Sequence, residues 1–171
     1  MLDDEFTNNR LELEQVLVRQ FRVLQEMNTL TRTERDALLS DPEQVLRIVE
    51  DKEAMLDSLG LLEDQCRNIV QELSLGLGLR TENTSIRQLL PFLKPEDASR
   101  IKNLSEGVSG LASQTRELNR ANQALAITKL DWLKATQDFL ISIFLPDAGY
   151  RSPKGGVRHT ESTGLGVEFR A

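Results

Sequence analysis

The chain has 171 residues, 39% hydrophobic and 28% charged, so it is long enough for one domain and apolar enough to bury a core. Aromatics make up only 5% while Leu, Glu, Arg and Gln abound, the balance of a helical bundle and not of a β-sandwich. A net charge of -6, with Lys and Arg interspersed among Asp and Glu, excludes the clustered basic footprint that nucleic-acid binding needs.

One cysteine, Cys66, rules out an intrachain disulfide and fits a reducing compartment, so the expected address is the cytoplasm. The opening Met1-Leu2-Asp3-Asp4-Glu5-Phe6 has neither the basic start nor the apolar run of a signal peptide. No stretch reaches the roughly 18 apolar residues of a membrane span, and no membrane insertion is expected.

From Asp3 to about Ser40, the residues Phe6, Leu13, Val16, Leu17, Val23, Leu24, Met27 and Leu30 fall mostly on one face at about 100° per residue, which predicts a first amphipathic helix. Ser40-Asp41-Pro42 ends it and starts another: Asp41 can cap, Pro42 suits the first helical position, and Gln44 completes a capping-box pattern. In this second helix Val45, Ile48, Met55, Leu59, Leu62, Cys66, Ile69 and Leu73 step by three and four, with Lys52 as the one charged interruption. Val49, Leu56 and Val70 widen the seam to a third row, enough to pack on more than one partner helix. Gly76-Leu77-Gly78-Leu79 reads as its C-terminus, with glycines able to take the left-handed conformation.

Thr84 to Leu90 reads as a short connecting helix capped by Ser85 and Gln88 and ended by Pro91. From Pro95 to about Leu145 the longest helix would span roughly 75 Å. The first two reach only about 50 to 55 Å, so one end of the third should project beyond them. Gly107 and Gly110 weaken it by up to about 1 kcal/mol each relative to Ala, making a bend plausible there. One of its heptad rows stays apolar through Leu104, Leu111, Leu118, Leu125, Trp132 and Phe139, while the other turns polar at Thr115, Asn122, Lys129 and Thr136. The first half of this helix therefore reads as core and the later part does not. Asn122 and Lys129 are candidates either for fixing register or for facing a partner helix.

Near the end of the helix, Trp132, Leu133, Phe139, Leu140, Ile141, Ile143, Phe144 and Leu145 cover more than one face, which is a binding-site pattern if left exposed. From Pro146 onward, five of the ten glycines and two of the five prolines fall in 26 residues with no helical period. A flexible tail over 146–171 is expected, beside a helical domain over 1–145. The fold class is therefore all-α: an antiparallel bundle of three long helices plus a short connecting helix and a flexible C-terminal tail.

Catalysis needs groups of matched pKa in a pocket, and metal sites need clustered ligands. His159 stands alone in the tail, and Cys66 lies among Leu62, Ile69 and Leu73 as a small buried hydrophobe. Gly76-Leu77-Gly78 follows a helix instead of a strand and lacks the Gly-Lys-Ser/Thr of a phosphate loop. Neither a cofactor, a metal nor an enzymatic activity is expected.

The stretch from Arg35-Asp36-Ala37-Leu38-Leu39-Ser40-Asp41-Pro42-Glu43-Gln44-Val45-Leu46 into Val49, Lys52, Met55, Leu56, Leu59, Leu62, Glu63 and Arg67 resembles the bacterial FlgN family of flagellar type III export chaperones. Leu118-Asn119-Arg120-Ala121-Asn122-Gln123-Ala124-Leu125 is similar to that family's "leucine-asparagine-x-x-asparagine-x-x-leucine" segment, and Ala148-Gly149-Tyr150 falls where its members often carry a glycine and tyrosine. The resemblance implies a cytoplasmic chaperone that holds hook-filament junction (hook-associated) proteins by their helical termini and hands them to the export gate. The client-binding surface expected from the helix end and the start of the tail is Trp132, Phe139, Leu140, Ile143, Phe144 and Tyr150. The alternative is a structural coiled-coil adaptor that self-associates through the same stripe, and a homodimer is compatible with either.

Overall fold

A computed structural model describes residues 2–79 and 84–144, with side chains from Phe6 onward. Four α-helices follow one another, α1 Leu2–Ser40, α2 Pro42–Gly76, α3 Ile86–Leu89 and α4 Pro95–Phe144, with a 3-10 turn at Leu90–Phe92 between the last two. No strand occurs among the described residues. By contacts, the chain divides into two units, Met1–Trp132 and Leu133–Ala171.

Local sequence places the helix ends. The Asp41 carboxylate accepts from the Glu43 and Gln44 amides at 3.1 and 3.2 Å, occupying two of the amides that a helix start leaves without partners, and Pro42 supplies a residue with no amide to satisfy. At the other end of α2, Gly78 takes φ 68°, the Leu79 amide donates to Ser74 at 2.9 Å, and the Gly78 amide donates to Leu75 at 3.0 Å. This is the Schellman arrangement, and only glycine enters its left-handed position without strain. Leu79 then folds back onto the buried cluster that includes Leu73. In α3 the Gln88 side chain accepts from the Ser85 amide at 2.9 Å, and Pro91, lacking an amide, falls in the 3-10 turn that follows.

Within the first unit, α1 and α2 pack together as a hairpin. Glu34, near the end of α1, meets Lys52 early in α2, while Asn9, near the start of α1, meets Glu72 late in α2. Contacts between α1 and α4 run the other way. Arg10 pairs with Asp97 at 2.6 Å, Asn28 donates to Thr115, and Asn122 donates to the Thr31 carbonyl at 2.7 Å, so the numbers rise together along both helices. The apolar core gathers Leu13, Val16 and Leu17 of α1, Leu62, Ile69, Val70 and Leu73 of α2, Leu89 of α3 and Ile101 of α4.

Three expectations differ in detail. Leu59 and Leu111, read as seam positions, are only half-buried, and Leu56, placed in a third seam row, is exposed. Chain packed on α2 covers that row at Val70 but not at Val49 or Leu56. Helix α4 passes through Gly107 and Gly110 without interruption, and a Cβ at Gly107 would stand 2.8 Å from the Phe21 ring. That glycine admits a neighbouring aromatic ring.

Candidate protein-binding surface

The row of α4 that turns polar in the sequence is the row that faces α1. Asn122 is only 3% exposed, and its amide nitrogen donates to Thr31 O and to Glu34 Oε2, both at 2.7 Å. Glu34 Oε2 also receives Lys52 Nζ at 2.7 Å, and the same ammonium donates to Asn119 Oδ1 at 2.5 Å. One node thus ties together α1, α2 and α4, with both members of the ion pair largely withdrawn from solvent. The expectation that this part of α4 falls outside the core is therefore corrected at Thr115 and Asn122, which are buried. Polar side chains enter the interior here because the Asn122 amide nitrogen, Glu34 and Lys52 find partners, which removes most of the cost of burial, while Asn122 Oδ1 accepts no hydrogen bond from the described residues.

Lys129 extends the seam. Its ammonium donates to the Leu38 carbonyl at 2.6 Å and reaches Leu39 O at 3.4 Å, in the last turn of α1. A helix C-terminus carries unpaired carbonyls and partial negative charge, and α1 has no basic residue of its own in that turn, so α4 supplies the cation. Sequence reasoning had missed Glu34 and Asn119 as members of this node. The available signal was Lys52, a charge inside an otherwise apolar seam, which requires a carboxylate and polar partners across the interface.

Beyond the polar seam the apolar residues of α4 face solvent. In the first unit Ile127, Leu130 and Trp132 are exposed. In the second, Leu133, Phe139, Leu140, Ile141, Ile143 and Phe144 are exposed, Phe139 at 62% and Phe144 at 75%. Of the residues expected to bind a partner, Phe139, Leu140, Ile143 and Phe144 thus occur together in the last two turns of α4, Trp132 lies in the first unit, and Tyr150 lies outside the described residues. Leu133 and Ile141 add to the exposed apolar surface of the second unit, and Ile127 and Leu130 to that of the first. Contiguous exposed apolar side chains at helical spacing suit contact with another helix.

Other chemistry is sparse among the described residues. No group of three His, Cys, Asp or Glu side chains is placed to hold a metal ion, and no helix is long and apolar enough to cross a membrane. Burial, aided by Glu63, pushes the Cys66 thiol above its ordinary range, which keeps it neutral and weakly nucleophilic. His159 lies outside the described residues.

Long helices joined by capped turns, with an apolar helix end open to solvent, define an all-α protein suited to holding other proteins. A family model described as FlgN protein matches residues 9–157. The chain belongs to the FlgN family, whose general role is flagellar export chaperone. No curated protein and no solved structure matches the chain.

Proposed function

We propose that this protein is a cytoplasmic chaperone that binds hook-associated flagellar proteins through their helical termini and delivers them to the type III export gate. Family membership supports the general role. The observation that carries the binding surface is the exposure of Phe139, Leu140, Ile143 and Phe144 on α4. Aromatic side chains that change from hydrated to buried dominate interfaces of this kind, and Trp132 and Tyr150 complete the proposed set. On this reading α1, α2 and α4 form an antiparallel three-helix bundle over residues 1–145, with Asn122 and Lys129 setting the register of α4. The tail over 146–171 lies outside the described residues.

Titration of a hook-associated protein into the wild-type chain and into Phe139→Ala and Phe144→Ala variants tests this. A hot spot costs about 2 kcal/mol, roughly 30-fold in affinity, while the thermal midpoint stays within a few degrees. Unchanged affinity in both variants would place the surface elsewhere, and a collapsed midpoint would assign the two rings to the core. A chain ending at Leu145 keeps its helical circular dichroism and cooperative melting if the tail contributes no core.

A further inference from the structure

A cleft of about 520 Å³ between α2 and α4 in the first unit takes no part in the surface described above. Leu56, Leu59 and Gly60 of α2 line it opposite Val108, Ala112 and Arg116 of α4. Space is open around Gly60, since a Cβ there would meet nothing within 4 Å. Leu46, Val49 and Leu56 continue the α2 wall at heptad spacing, all exposed. Beside them the outer edge of α2 carries Glu53 and Asp57 one turn apart, and the α4 wall carries Arg116 and Arg120 one turn apart. All four are exposed, and none forms an ion pair with a described residue.

The heights of these charges along the groove are set by observed contacts. Lys52 bonds Asn119, and neighbouring Asn9 and Arg10 of α1 meet Glu72 of α2 and Asp97 of α4, so the two helices run antiparallel, with Lys52 level with Asn119 and Glu72 near the level of Asp97, which brings Gly60 near Ala112 in the cleft. Glu53 then stands level with Leu118, within a turn of Arg120, and Asp57 stands level with Thr115, beside Arg116.

We propose that this groove pairs with the same groove of a second copy of the chain, about a twofold axis running along the groove. Such an axis preserves height and exchanges the walls, so α2 of each copy lies on α4 of the other. Asp57 meets Arg116 of the partner subunit, Glu53 meets Arg120 of the partner subunit, and both pairings recur at the second seam because the interface is isologous. Leu56 of each copy stands near the level of Thr115 of the partner subunit, and Gly60 near the level of Ala112 of the partner subunit, where small side chains permit close approach. The other facing geometry, with the axis across the groove, sets α2 on α2 and brings like carboxylates together, which is repulsive. The charge pattern therefore selects both the occupant and the orientation.

Sedimentation equilibrium of the full chain at low salt tests this with two double variants. Wild type is a reversible dimer that weakens as salt screens the edge charges. Glu53→Arg with Asp57→Arg opposes basic edges at both seams, Arg116→Glu with Arg120→Glu opposes acidic edges, and each variant alone dimerises at least about 10-fold more weakly. Mixed in equal amounts, the two form a heterodimer, because every seam again joins opposite charges. Rescue on mixing also shows that both variants are folded. A wild type monomeric at all concentrations, double variants that self-associate as wild type does, or a mixture without rescue would each overturn the proposal. Phe139→Ala should leave the dimer intact, so failure here is distinguishable from failure of the client surface.

Discussion

Around Leu13, Leu17, Leu73, Leu89 and Ile101 the helices of the first unit meet through aliphatic side chains, whereas further along α1 they meet through Thr31, Glu34, Lys52, Asn119 and Asn122. The same three helices thus use two kinds of contact at different levels. Aliphatic burial is strong and nearly indifferent to small changes in register, because a shifted leucine still finds apolar neighbours. Hydrogen bonds to a particular carbonyl tolerate no such shift. The aliphatic contacts supply cohesion, and the polar ones, Arg10 with Asp97 at one end and the Asn122 node further along, fix the position at which α4 lies along α1.

The largest effects should come from the apolar end. Leu13→Ala or Ile101→Ala removes a fully buried side chain, and each should cost about 2 to 5 kcal/mol in urea unfolding. A loss below about 1 kcal/mol would show that this end does not carry the stability.

Smaller losses are expected in the polar seam, with a different signature. Lys52→Met leaves the Glu34 carboxylate withdrawn from water without its cation, and should cost about 1 to 3 kcal/mol. Adding Glu34→Leu should return much of that loss, because replacing both partners by apolar groups removes the unpaired charge. If the double variant is as unstable as the sum of the single changes, the pair acts independently of its partner and the node is not a unit. Asn122→Ala should fall in the same range as Lys52→Met.

Smaller losses again are expected at Leu59 and Leu111. Their spacing marks them as seam residues, but both are half-buried, so replacement by Ala should cost about 1 to 2 kcal/mol, clearly less than Leu13→Ala in the same assay. Equal losses at Leu13 and Leu59 would mean that exposure in the structure does not rank these positions.

Helix type, helix ends and most of the apolar core could be read from the sequence because they depend on short-range rules. Asp41-Pro42 and Gly78 are caps dictated by neighbours a few residues away, and period alone separates Leu13 and Leu73 from the solvent side. Asn122 is ambiguous in sequence because its burial depends on Thr31 and Glu34, 91 and 88 positions distant, and a polar residue at a heptad position looks alike whether it faces a core partner or another molecule. The exposed end of α4 shows the converse: periodicity marked Trp132 and Phe139 as seam residues, but whether anything covers a seam is a property of the other helices. Leu56 was misplaced for the same reason.

The smallest effect sharpens the contrast between rule and context. Gly107 and Gly110 occupy one helix three residues apart, and helix propensity treats them alike, favouring Ala by up to about 1 kcal/mol at each. Surroundings separate them: a Cβ at Gly110 meets nothing within 4 Å, while one at Gly107 stands 2.8 Å from Phe21 Cε2. Gly110→Ala should therefore raise the midpoint of thermal unfolding by several degrees. At Gly107 the same gain is opposed by displacement of a ring wedged between α1 and α4, so Gly107→Ala should leave the midpoint unchanged or lower it. Phe21→Leu in the same chain removes the ring, and the Gly107→Ala change should then become stabilising relative to Phe21→Leu alone. Equal stabilisation by both glycine replacements in the wild-type background would show that the Phe21 contact does not constrain the approach of α1 to α4.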